Sequence, residues 1–150
     1  MHEGVHVKDN QEEKDMSEWR RVVVTGLGAV TPVGNNVSET WNSLKNGKNG
    51  IAPITFFYTE GFKAKLAAEV KGFEPKEYLE VNEILRTDRY AQLAVAAAAQ
   101  AVEDSGIEGK VEPEKFGVMF GTGIGGIGTF EVEHTKLLEK GPRRVSSLFI

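Results

Sequence analysis

With 150 residues, 40% of them apolar and 27% charged, the chain is long enough for a real core and lies in the ordinary globular range. A net charge of −4 offers no basic field for nucleic acid or anionic lipid, and no run approaches the roughly 18 apolar residues that cross a bilayer. The absence of cysteine excludes disulfides, thiolate metal sites and a cysteine nucleophile within these residues.

Residues Met1–Glu18 are polar and charged, have no apolar periodicity, and read as a disordered extension. They contain no apolar segment of the secretory kind, so the protein reads as cytoplasmic. The character changes at Arg21. Val22-Val23-Val24 suits a buried strand, and Thr25-Gly26-Leu27-Gly28 suits a tight turn after it. Asn36, three residues before Glu39, can cap a helix with a carboxylate reaching back. Val37, Trp41 and Leu44 then recur at helical spacing until Gly47. Pro53, Gly61, Gly72 and Pro75 break up the next stretch, where Leu66–Val70 is expected as a short strand.

The clearest helix runs from about Arg86 to Ser105, with Gly106 as its stop. Ala94 and Ala96–Ala99 carry so little side chain that other backbones can approach closely, as at the centre of a layered α/β structure. A compact strand, Phe116–Phe120, leads into a glycine-rich loop, and a helix from about Thr129 to Glu139 ends at Gly141-Pro142. The order strand, helix, helix, strand, helix predicts an α/β fold with a largely parallel sheet.

Gly121, Gly123 and Gly126 form a G-x-G-x-x-G between an expected strand and an expected helix, the setting in which a pyrophosphate meets a helix N-terminus. The dinucleotide fingerprint also needs an acidic residue about twenty positions on, at the end of the next strand. That distance falls around Glu139–Pro142, in or just past a helix. The alternative is that the glycines let the backbone turn tightly against a neighbouring pocket. His2, His6 and His134 are too scattered for a metal-ligand pattern.

Arg21–Gly28 followed by Thr31-Pro32-Val33-Gly34 closely resembles the opening of elongating β-ketoacyl-acyl-carrier-protein synthases. The family's pattern continues with Trp41, Gly50-Ile51, Asp88 opening the alanine-rich helix and Asp104-Ser105-Gly106 closing it. It then reaches Gly121-Thr122-Gly123-Ile124-Gly125-Gly126 and Gly141-Pro142-Arg143-Arg144-Val145-Ser146. The resemblance implies a thiolase-like fold, layered α/β/α/β/α, with residues 19–150 supplying only part of its first half, and a homodimer.

The activity implied is decarboxylative Claisen condensation. A cysteine at a helix N-terminus accepts the acyl group from the carrier's pantetheine thioester, and two histidines assist decarboxylation of malonyl-carrier. The resemblance places these groups beyond Ile150, so the 150 residues alone are expected to be inactive. Polyketide ketosynthases share many of these motifs, and a non-catalytic partner subunit would also lack the cysteine. The implied partner is acyl carrier protein in its acyl and malonyl forms; no metal or organic cofactor is implied.

By position in these motifs, Ile124 resembles a residue lining the acyl-chain tunnel, or else is ordinary core. Phe149 and Ile150 match positions that reach across a dimer toward the partner's acyl pocket, and their apolar character also fits simple packing. Arg86 falls where a cation contacting the acidic carrier is expected, or else is a solvated charge at a helix start; Asn82 and Leu85 depart from the neighbouring basic positions. His134, without an acid or nucleophile partner, is expected to be structural or at the surface.

Overall fold

The helix signalled by Asn36 forms over Val37–Lys45 (α1), where the Asn36 side chain accepts the N–H of Glu39 at 2.8 Å. The Glu39 carboxylate reaches back to the N–H of Asn35 at 2.9 Å, one residue farther than an ordinary capping box. The computed structural model describes residues 20–147 and 149. The expected disordered extension and Ile150 lie outside the described residues.

After α1 come two short strands, Ile51–Pro53 (β1) and Leu66–Ala68 (β2), then a one-turn helix Val81–Ile84 (α2). The long helix follows over Arg89–Ser105 (α3), and the last helix over Ile127–Lys140 (α4). Helix α3 starts three residues later than expected because Leu85–Asp88 form the turn out of α2. Gln92, buried, donates its side-chain amide to the Ile84 and Thr87 carbonyls at 3.1 and 3.0 Å, satisfying acceptors that the turn leaves open. Gly106 ends α3 in the left-handed region at φ 55°, which a residue without Cβ adopts freely.

The alanine face of α3 does receive another backbone. A Cβ built on Gly28 would run into the Ala97 carbonyl, and one on Gly26 into the Ala101 carbonyl. Hydrogen bonds lace the same segment along the helix. Leu27 N–H donates to Asp104 Oδ2 at 2.8 Å, and Ala29 N–H donates to Gln100 Oε1 at 3.2 Å. Gln100 Nε2 in turn donates to the Asn35 carbonyl at 2.9 Å. Ala96 is fully buried, whereas Val95 is 41% exposed, so α3 is covered on one side rather than all round.

The sheet differs from expectation. β1 and β2 form an antiparallel ribbon with Ile51 opposite Ala68 and Pro53 opposite Leu66, and the expected largely parallel sheet is absent among the described residues. Val22–Val24 and Phe116–Phe120 form no strand there. A strand exists only through ladder bonds to a neighbour, and these runs stay exposed, Val22 at 90% and Met119 at 98%. No helix among the described residues is long and apolar enough to cross a membrane.

Glu69, buried just after β2, accepts the Thr55 hydroxyl at 2.7 Å and the Thr55 N–H at 2.9 Å. The Thr55 hydroxyl, helped by that N–H, holds the carboxyl below its ordinary value of 4.5. Its stabilising contribution is therefore complete above that ordinary value and is lost as the pH falls through the lowered one. Glu69→Gln is expected to lower the urea midpoint at neutral pH, with the gap to wild type narrowing at acid pH as the carboxyl protonates. Urea titrations at neutral and acid pH check this.

Candidate functional site: a groove where two helices begin

The starts of α3 and α4 lie side by side. Asp88, at the N-cap position of α3, accepts both the backbone N–H of Thr129, at 3.3 Å, and the Thr129 hydroxyl. Thr129 belongs to the first turn of α4, whose own N-cap position is Gly126 and carries no side chain. Asp88 therefore caps α4 from another helix, across 41 residues of sequence. The Thr129 hydroxyl holds the Asp88 carboxyl below its ordinary range, against the opposing effect of burial. A Cβ on Gly126 would sit 3.0 Å from Asp88 Oδ2, so the glycine gives the carboxylate its room.

Between these helix starts runs a groove of about 860 Å³. Its apolar wall includes Ile124, Ile127, Phe130 and Phe149, its polar side includes Asp88 and Thr129, and Arg86 also lines it. Phe130 packs on Phe149 with ring centroids 5.8 Å apart. His134 stacks on Phe130 at 6.0 Å and is otherwise exposed.

Glu133 fixes the far side. It is 5% exposed and accepts Lys136 Nζ and the Ser146 N–H, each at 2.6 Å, tying α4 to the Gly141–Ser146 segment that leads to Phe149. Lys136 first, and the Ser146 N–H after it, hold its carboxyl below the ordinary range.

Three of the four residues singled out in the sequence thus meet in one groove: Arg86, Ile124 and Phe149. Ile150 lies outside the described residues. Sequence reasoning missed Glu133, although an acid within the row Phe130, Glu133, Leu137 at helical spacing was the available signal. It also missed the bond from Asp88 to Thr129, for which no local signal exists.

The glycine-rich loop turns through Gly125 at φ +74°, and Gly125 N–H donates to Thr122 Oγ1 at 3.0 Å. A dinucleotide pyrophosphate would need the N-terminus of α4, and the Asp88 carboxylate already stands there. Its negative charge opposes a second anion at that place. No cluster of His, Asp and Glu among the described residues could hold a metal ion.

Residues 19–150 match the family model described as Beta-ketoacyl synthase, N-terminal domain. The chain belongs to the β-ketoacyl synthase family. Among its relatives are 3-oxoacyl-[acyl-carrier-protein] synthase 2 of Staphylococcus aureus (strain COL), 43% identical over 136 residues, and that of Coxiella burnetii, 46% identical over 134. These alignments cover 90% and 89% of this β-ketoacyl synthase chain but 33% and 32% of the relatives, so the chain spans about a third of their length. The ishigamide ketosynthase/chain length factor superposes with a TM-score of 0.68 at 33% identity, over 87% of this chain and 33% of that one. The described residues therefore share the ketosynthase fold over the part they span.

Proposed function

We propose that this β-ketoacyl synthase chain forms part of an acyltransferase that elongates carrier-bound acyl chains by decarboxylative Claisen condensation with malonyl-acyl-carrier protein. The observation that carries this reading is the convergence of Arg86, Ile124 and Phe149 on one groove. The apolar wall suits a linear acyl chain, and Arg86 adds the cation that an acidic carrier would meet. In this reading Ile124 and Phe149 border the acyl chain in one groove of the same subunit, where Phe149 packs on Phe130, and not, as the resemblance implied for Phe149, in a partner's pocket. Neither cysteine nor a catalytic histidine is assigned to these residues, so nucleophile and decarboxylation machinery come from outside them. The names of the relatives, 3-oxoacyl-[acyl-carrier-protein] synthase 2, support the same chemistry and the same carrier.

The exposed apolar runs Val22–Val24 and Phe116–Phe120 belong, in this reading, to sheets that the remainder of such a domain completes. A second reading, as a subunit of a polyketide-type ketosynthase pair, is favoured by the match to a ketosynthase/chain length factor.

The test is a condensation assay with acyl-carrier and malonyl-carrier protein. Cysteine-dependent carbon dioxide release and 3-oxoacyl-carrier formation are expected from the intact protein, and none from residues 1–150 alone. Release of neither product by the intact protein would overturn the reading. Charge reversal at Arg86, R86E, is expected to raise the KM for the carrier about fivefold at low salt, shrinking as salt screens the contact. Steady-state kinetics at two ionic strengths check this.

A further inference from the structure

Among the described residues, no hydrogen bond from residues 121–126, the turn that carries Ile124, reaches α3. The anchoring comes from Asp88, which stands immediately before α3 and holds the first turn of α4 through both the N–H and the hydroxyl of Thr129. The turn is also confined on the α3 side. A Cβ on Gly125 would lie 3.9 Å from the Tyr90 ring, and one on Gly126 3.0 Å from the Asp88 carboxylate. Asp88, Tyr90, Ile124 and Thr129 all line the same groove.

We infer that Asp88 is a positioning residue for acyl-length selection: through Thr129 it fixes the turn that carries Ile124, and so holds Ile124 at one place in the groove wall. The inference rests on the function proposed above and extends it to a residue pair that touches no reacting atom. An apolar groove discriminates chain lengths only as sharply as its wall is fixed, because a wall that yields accepts a longer chain at little cost. The bond that fixes this wall is donated by a hydroxyl. Thr129→Val removes it while keeping the shape and the β-branch, and Thr129→Ser keeps it.

The experiment compares wild-type, T129V and T129S intact protein. The primary readout is the ratio of kcat/KM for the preferred acyl-carrier to that for one two carbons longer. That ratio is expected to fall about tenfold in T129V and to stay near wild type in T129S. Hydrogen exchange of the amides from 123 to 130 is the second readout, expected to quicken in T129V alone. Condensation with an unchanged ratio in T129V would overturn the inference and leave the proposed function standing. If the wild-type protein does not condense at all, the proposed function fails instead. Exchange then decides the positioning role: faster in T129V than in T129S supports it, and equal rates overturn it.

Discussion

Gly28→Ala is expected to destabilise the chain by about 3 kcal/mol, the upper end of what overpacking costs. The added methyl would meet the backbone carbonyl of Ala97 rather than a side chain that could swing aside. Relief requires moving the Thr25–Ala29 segment off α3, which would also stretch the bonds from Leu27 N–H to Asp104 and from Ala29 N–H to Gln100. Those groups would then lose partners that water replaces only if the segment lifts away. Gly128 is the matched control: it lies in α4 and a Cβ there has nothing within 4 Å, so Gly128→Ala is expected to be neutral or slightly stabilising. Urea denaturation of the two variants checks the pair. Equal midpoints would mean that the glycine segment does not pack on α3.

The second large effect is expected from Ile124→Trp. Ile124 is 77% exposed and projects beside a groove whose apolar lining includes Ile127, Phe130 and Phe149. An indole there has free space to occupy, so the cost falls on the ligand rather than on the fold. Condensation with long acyl-carrier substrates is expected to drop about a hundredfold, because each excluded methylene removes roughly 1 kcal/mol or more of transition-state binding. The shortest acyl-carriers should lose far less. Rates across an acyl series, with a melting curve to confirm the fold, measure the difference. A uniform loss at every length would place Ile124 outside the acyl path.

Helix positions were largely legible because their signals are local. Asn36, Gly47, Gly106 and Gly141 stand at or next to helix ends in the structure as they do in the pattern, and each acts on the few backbone groups beside it. The strands were not legible in the same way. Val22–Val24 and Phe116–Phe120 have the composition of strands, yet composition supplies no neighbour, and among the described residues none pairs with them. The offset start of α3 also escaped the pattern, since it follows from Gln92 folding back onto carbonyls of the preceding turn.

The site divides along the same line. Sequence alone determined the longer helices α1, α3 and α4 to within a few residues, the alanine face that a glycine segment can approach, and the motif string whose resemblance singled out Arg86, Ile124 and Phe149. Each of these rests on residue type or on spacing within a few turns. Only the tertiary structure decided that those three residues share a groove, that Asp88 caps α4 through Thr129, and that Glu133 ties α4 to Ser146. A carboxylate can accept from any N–H or hydroxyl brought within about 3 Å, and which one arrives is fixed by how distant helices pack, not by the residues beside it in the chain.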